Sequence, residues 1–284
     1  MKLSIVTINR NNAAGLVRTI DSVRSQDFRD FEHIVIDGAS TDGSVEAIRA
    51  RAGALQYWVS EPDAGIYAAM NKGLRKAQGE YVQFLNSGDW LSDGQVLDRV
   101  FGEGMACEDL LYGDHVRVEK HGRTKRFEVP DALALSQFRG QSIICHQAAF
   151  YRRNLFAELG PYNEANRLVS DWEFNLRILL ADKSTRRLPF VVACCSAEGL
   201  SVTQAEVSLA EQAAVLARLL PLAVRRDYER LQSLEAECRR LRAIEDWARA
   251  IPQRNSAVNY AMVTYWLLKR MRRVFTRRSP RAGS

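Results

Sequence analysis

The chain has 284 residues, 46% of them hydrophobic and 26% charged, which is enough for one large core with a smaller appendage. That balance excludes a disordered or low-complexity protein, and no fixed-period repeat points to a solenoid. The net charge of +6 is unevenly placed: residues 1–204 hold 24 Lys+Arg against 26 Asp+Glu, while residues 205–284 hold 16 against 8. A near-neutral body with a basic tail argues against a nucleic-acid-binding module and towards an anionic surface for the tail alone.

The first half alternates short apolar runs with helical patterns. Leu3–Ile8 reads as a buried first strand rather than a signal peptide. A helix is expected over Ala13–Ser25, where Leu16, Ile20 and Val23 follow helical spacing. His33–Ile36 and Tyr57–Ser60 read as strands, Ser44–Arg51 and Ile66–Ala77 as helices, and Tyr81–Leu85 as a fourth strand. Such alternation implies right-handed crossovers and a parallel sheet with helices on both faces. Ligands of such sheets bind beyond the carboxyl ends of the strands, which places Thr7–Asn9, Asp37–Asp42 and Asn86–Asp89 at one edge.

The second half is less regular. Leu110–Val118 and Arg123–Val129 flank His121-Gly122 as a hairpin would, and Ile143–Tyr151 is apolar around His146-Gln147. Ser170–Ala181 has a helical stripe through Trp172, Leu176 and Leu179 or Leu180, and Leu188–Cys195 reads as a last strand. Beyond about residue 205 the pattern is helical, broken by Pro221 and Pro252. The five cysteines fit no CxxC zinc or redox spacing, Cys194-Cys195 reads as core, and a reducing compartment is expected. No apolar stretch reaches the roughly 20 residues that span a bilayer.

Four clusters hold chemistry-bearing residues. Asp37-Gly-Ala-Ser-Thr-Asp42-Gly-Ser44 joins a strand to a helix with small residues that admit a ligand to the backbone, and it serves equally as a helix cap. Asn86-Ser87-Gly88-Asp89 ends a central strand in a carboxylate suited to a divalent cation bound against phosphates; an Asx or Gly turn is the plainer reading. Glu61-Pro-Asp-Ala-Gly-Ile-Tyr67 leads into Asn71-Lys72-Gly73, a loop before a helix N-terminus that favours anions, or else a solvated helix face. Ser170-Asp171-Trp172-Glu173 offers a cap with acids in a first turn, or a general base beside an aromatic anchor or sugar platform.

Taken in order, Thr7-x-Asn9, Asp37-Gly-x-Ser-Thr-Asp-Gly-Ser, Glu61-Pro-Asp-x-Gly-Ile-Tyr with Asn71-Lys-Gly, Asn86-Ser-Gly-Asp89, His146-Gln147 and Ser170-Asp-Trp-Glu resemble the family 2 glycosyltransferases of the GT-A fold. The likeness is strongest to the bacterial enzymes that build exopolysaccharide, O-antigen and colanic-acid units, and it spans about residues 1–200. It implies a Rossmann-like, mostly parallel sheet with flanking helices over residues 1–204, with a nucleotide-binding half of about 1–100 and an acceptor half of about 101–204; the helical pattern beyond it makes 205–284 a C-terminal helical extension. It implies an inverting transfer from a UDP- or GDP-linked sugar to a hydroxyl of a glycan or lipid-linked glycan. Asp171 would then be the base and Asp89 the contact for Mg²⁺ or Mn²⁺. Thr7, Asn9, Asp37, Asp42, Asn71, Lys72 and Ser87 would face the nucleotide, and His146, Gln147 and Trp172 the acceptor or diphosphate. Departures are the single carboxylate of Asn86–Asp89, Ala68 where relatives often carry Asp, and Ser170 before Asp171.

Ala257–Leu268 is a short aromatic-rich apolar segment and Lys269–Arg281 holds seven basic residues and no acid. Residues 257–281 suit an interfacial anchor on anionic lipid at the cytoplasmic face of the inner membrane, or a helix packed on protein. Residues 205–250 suit a helical pair that joins two copies. The rival functions are a nucleotidyltransferase, which would need a Gly-rich phosphate loop where Asn9-Arg10-Asn11-Asn12 stands, and an inactive nucleotide-binding scaffold of a polysaccharide assembly complex.

Overall fold

A computed structural model describes residues 1–102, 107–119, 122–138, 143–196, 204–250 and 265. The chain divides into two compact units, Met1–Glu229 and Arg230–Ser284. Among the described residues of the first unit, nine strands form one sheet. The strands are β1 (Leu3–Asn9), β2 (Phe31–Asp37), β3 (Tyr57–Ser60), β4 (Tyr81–Phe84), β5 (Trp90–Leu91), β6 (Leu110–Val118), β7 (Thr124–Phe127), β8 (Ala149–Arg152) and β9 (Thr185–Ser196). Their spatial order is β3-β2-β1-β4-β8-β6-β9-β5, with β7 paired to β6.

The helices are α1 (Ala13–Arg24), α2 (Ser44–Arg51), α3 (Ile66–Leu74), α4 (Val96–Phe101), α5 (Leu155–Glu158), α6 (Ser170–Leu180), α7 (Ala205–Leu219) and α8 (Leu222–Ala250). β3, β2, β1 and β4 are parallel, as the strand-helix alternation requires. The order is then interrupted: β8 runs antiparallel to both β4 and β6, and β6 pairs parallel with β9. The stretch read as one apolar segment, Ile143–Tyr151, divides into a 3₁₀ turn at His146–Ala148 and strand β8. That turn lifts His146 and Gln147 out of the sheet at the edge where β4 ends.

Both faces of the sheet are covered. On one face α3 and α6 pack with Val6, Ile36, Phe84 and Tyr112, and an aromatic group of Phe84, Tyr151, Phe156, Tyr162 and Phe174 joins the two halves. Within it the rings of Phe156 and Phe174 stack with centroids 4.2 Å apart. On the other face α4 packs through Val96, Leu97, Val100 and Phe101 on Leu3, Ile5 and Phe150. α1 and α2 close a smaller cluster of Leu16, Ile20, Val35 and Ile48. Such burial contributes roughly 1.5–3 kcal/mol per large apolar side chain.

α7 packs on α6, where Val215 meets Trp172 and Leu176. α7 thereby belongs to the first compact unit. The second unit includes the Arg239–Glu235 ion pair on α8. No helix among the described residues is long and apolar enough to cross a membrane. The segment read as an interfacial anchor, 257–281, lies outside the described residues except for Tyr265.

Candidate active site

The carboxyl ends of β1, β2 and β3 meet at Asp37. Register places Asn9 and Ser60 on either side of it. Asn9 Nδ2 (2.7 Å) and Ser40 Oγ (2.6 Å) donate to Oδ1, and Ser40 N–H (2.9 Å) and Ser60 Oγ (2.6 Å) donate to Oδ2. Burial pulls this carboxyl up, but the four donors outweigh it and hold Asp37 below the ordinary carboxylate value. Asp37 is therefore an ionised post that fixes the Gly38–Thr41 loop.

Asp42 takes the capping role. It accepts from Ala13 N–H at 2.8 Å and from Ser44 Oγ at 2.6 Å, tying the starts of α1 and α2 together. Thr7 lies beneath the site: its hydroxyl is 2.9 Å from His33 Nε2, and burial drives that imidazole down to about 3, so it is neutral. Asn71 is also interior. It donates to the Tyr162 carbonyl (2.9 Å) and accepts from Tyr162 N–H (3.1 Å), stitching α3 to the second half. Lys72 Nζ lies 2.6 Å from Asp63 and 2.9 Å from Glu61. Burial would lower this ammonium, but the two acids outweigh it and keep it charged, and the Glu61–Gly65 loop is held onto α3.

The Asn86–Asp89 turn follows β4, with Gly88 at φ 97°, a conformation that favours glycine. Thr19 accepts from Gly88 N–H (3.0 Å) and donates to the Asp89 carbonyl (2.7 Å). Asn12 donates to the Ser87 carbonyl at 3.0 Å, so α1 starts directly against this turn. Asp89 is buried. Gln147 Nε2 donates to its Oδ2 (2.7 Å) and Ser196 N–H to its Oδ1 (2.9 Å). Burial raises this carboxyl, and the two donors and His146 only partly offset it.

His146 joins that turn to α6. Its Nε2 is 3.1 Å from Asn86 Nδ2 and its Nδ1 is 2.9 Å from Asp171 Oδ2. Tyr67, on the first turn of α3, donates to Asp171 Oδ1 at 2.7 Å. Burial acts to raise Asp171, but the bond and charge of His146 and the Tyr67 hydroxyl outweigh it and leave it below the ordinary value. Burial acts to lower His146, and Asp171 reverses that and leaves it above 6.5. His146 and Tyr67 take one acceptor position on each Asp171 oxygen and the Trp172 N–H takes a third, which leaves one for a further donor.

Trp172 packs as an anchor. Its indole is 2% exposed and meets Phe138 edge-on at 6.0 Å within the α6–α7 seam, where its apolar surface is worth most. The residues that sequence reasoning missed are Tyr67, Ser60, Gln83 and Ser196. Tyr67 ends the Glu61–Tyr67 segment and Ser60 ends the Tyr57–Ser60 strand, and neither carries a local signal for its role. Gln83, which donates to the Gln147 carbonyl at 2.7 Å, and Ser196 carried no signal.

A divalent cation has one carboxylate to use here. No group of three or more His, Cys, Asp or Glu side chains that could hold a metal occurs among the described residues. Mg²⁺ commonly uses one or two carboxylates and completes its shell with phosphate and water. Asp89 keeps an acceptor position on each oxygen, so its chemistry fits that single-contact mode.

A parallel half with a polar loop at each strand end, joined to a mixed half that presents a buried acid at a helix start, is the architecture of the GT-A glycosyltransferases. It overlays S. aureus TarS 1-349, solved in complex with UDP-GlcNAc, with a TM-score of 0.57 at 19% identity, covering 77% of this chain and 71% of that one. The match to another S. aureus TarS structure covers 42% of that chain. The mannosyltransferase PcManGT from Pyrobaculum calidifontis, solved with GDP-Man and Mn²⁺, gives a TM-score of 0.53 at 18% identity, covering 84% of this chain and 80% of that one. The Glycosyl transferase family 2 model matches residues 4–160. A PGL/p-HBAD biosynthesis glycosyltransferase of Mycobacterium tuberculosis is 36% identical over 208 residues, 70% of this chain and 79% of that protein. The chain belongs to glycosyl transferase family 2 and is a glycosyltransferase.

Proposed function

We propose that the chain transfers a sugar, with inversion, from a UDP- or GDP-linked donor to a hydroxyl of a glycan or lipid-linked glycan in bacterial surface polysaccharide synthesis. The observation that carries this reading is Asp171, ionised at the start of α6 and coupled through His146 to the turn that holds Asp89. The likeness to TarS with UDP-GlcNAc and to PcManGT with GDP-Man supports a nucleotide-sugar donor.

In the proposed step the acceptor oxygen forms a bond to the anomeric carbon and the bond from that carbon to the diphosphate oxygen breaks. Asp171 takes the hydroxyl proton on a free acceptor position, and the nucleoside diphosphate leaves. Asn9, Asp37 and Ser87 border the nucleotide loops, while Asp42, Thr7, Asn71 and Lys72 keep those loops in place. His146 and Gln147 form the wall between diphosphate and acceptor. A Mg²⁺ or Mn²⁺ ion on Asp89 would supply charge neutralisation for the leaving group.

We read residues 257–281 as a peripheral contact with anionic lipid, on their composition, which would hold the enzyme at the cytoplasmic face of the inner membrane. The test of the whole reading is a thermal-shift screen of UDP- and GDP-sugars with and without Mn²⁺, followed by transfer assays on the donor that binds. Failure of every nucleotide sugar to stabilise the protein would sink it.

A further inference from the structure

Across the sheet from the nucleotide loops, the β6–β7 hairpin carries a group of side chains that the transfer step leaves unused. Register aligns His115 with Phe127 and Arg117 with Lys125, so all four share one face. The rings of His115 and Phe127 stack with centroids 4.8 Å apart and 6° between planes. The Arg117 guanidinium lies 4.7 Å and the Lys125 ammonium 4.9 Å from the centroid of the same Phe127 ring. Two cations are thus gathered at one ring, and neither has a carboxylate partner among the described residues. By sequence the connection between the two strands carries Glu119, Lys120 and Arg123, so it adds no net acid to offset Arg117 and Lys125.

This platform adjoins the candidate site. Arg117 is the register partner of Cys195 on β9, and Cys195 Sγ is 3.5 Å from Cys145 Sγ, next to His146 in the chain. The following residue, Ser196, donates to Asp89. His115 is 7% exposed and its Nδ1 has no hydrogen-bond partner. Burial first, then Arg117, holds this imidazole down at about 4, with His146 adding to the effect and Asp114 opposing it. The ring is therefore neutral, which leaves the positive charge to Arg117 and Lys125. Like charges held near one ring repel, and an oxyanion between them converts that repulsion into two attractive pairs. β4 and β8 separate β6 from β1, β2 and β3, whose ends hold Asn9, Asp37 and the Gly38–Asp42 loop, so a group bound here lies apart from those loops, on the side of the Asp89 turn that follows β4.

We infer that Arg117 and Lys125, braced on Phe127, form a subsite for a phosphate ester carried by the acceptor. The inference rests on the transferase reading only in naming the acceptor as the bearer of that phosphate.

Isothermal titration of the full chain with glucose 1-phosphate, and with glucose as the uncharged control, tests it. Saturable binding of the phosphate ester alone is expected, unchanged when UDP or GDP is present in excess. The double variant Arg117→Gln/Lys125→Gln should bind about tenfold more weakly or worse, while the charge-preserving Arg117→Lys/Lys125→Arg keeps most of the affinity. No response to glucose 1-phosphate, displacement by UDP or GDP, or equal affinity in the Gln variant overturns the subsite. So does a phosphate-ester response that is absent in solution while the same variant loses binding to phosphatidylglycerol vesicles, since the pair would then be a lipid contact. Nucleotide binding is read in the same titrations: a chain that binds the phosphate ester but no nucleotide would overturn the transferase reading and leave the oxyanion site standing.

Discussion

Tyr67 and Asp171 lie 104 positions apart and meet at 2.7 Å, the hydroxyl donating to Oδ1. The contact ties the first turn of α3, in the nucleotide half, to the first turn of α6, in the second half. It also sets the electrostatics of the proposed base, because the hydroxyl favours the ionised carboxylate. Tyr67→Phe removes that donor and keeps the packing against Tyr162. Asp171 should then titrate higher, so the acid limb of the kcat/KM profile moves to higher pH and kcat falls by about tenfold. An unshifted acid limb with unchanged kcat would remove Tyr67 from the mechanism.

Asp171→Asn keeps the shape and deletes the basic oxygen. Transfer should drop by about 10²–10⁴-fold, the usual worth of a general base. Thermal stabilisation by the donor nucleotide should survive, since Asp171 lies outside the nucleotide loops. A variant that transfers at the wild-type rate would reassign the base.

The His146–Asp171 pair makes stability pH-dependent with a defined sign. His146 is raised in the folded state, so its contribution is complete below the unfolded value of 6.5 and is lost as pH rises through the folded value. Asp171 is depressed, so its contribution is present above 3.8 and is lost as pH falls through its lower folded value. The stability gap between wild type and His146→Gln should therefore be wider near about pH 5.5 than near about pH 8.5. Urea midpoints at the two pH values measure it, and a gap that widens with pH contradicts the pairing.

The element order of the first half was legible because each strand is a short apolar run and each helix has its own period. β1 to β4 and α1 to α3 are local patterns, and the rule that ligands sit at strand ends placed Asn9, Asp37 and Asp89 on one edge. The rest depends on pairing between distant segments. Nothing near Ala149–Arg152 says that β8 inserts antiparallel between β4 and β6, and a two-residue strand such as Trp90–Leu91 has no period to read. The same limit hid the partners of Asp89, because Ser196 N–H is a backbone group that any residue would supply. Trp172 was legible as an aromatic beside an acid, but helical phase alone did not separate an anchor from a platform.

Asp89→Ala probes the turn that follows β4. Gln147 Nε2 and Ser196 N–H would lose their acceptor, costing about 1–3 kcal/mol if each stays buried. Asp89→Asn retains an acceptor oxygen and should cost less. Both variants should lose any Mn²⁺-dependent gain in nucleotide affinity that the wild type displays. Calorimetric titration with and without Mn²⁺ separates the effects, and a full Mn²⁺-dependent gain in Asp89→Ala would place the ion elsewhere.

Gly73 tests how closely α3 must approach the sheet. A Cβ built there lies 2.3 Å from Val6 Cγ1 and 3.4 Å from Ile36 Cγ1, so the helix and β1 touch through the missing side chain. In a free helix Gly→Ala stabilises by up to about 1 kcal/mol. Here the clash should reverse the sign, and Gly73→Ala should destabilise by about 1–3 kcal/mol. Val6→Ala clears the space, so the double variant should lose less than the two single variants together, with a coupling of about 0.5–3 kcal/mol. The displacement also reaches the site, since α3 carries Tyr67 at its start. Gly73→Ala should therefore lower transfer while Gly73→Ala/Val6→Ala recovers part of it. Additive denaturation midpoints with no recovery of activity would mean that α3 is free to shift without moving Tyr67 off Asp171.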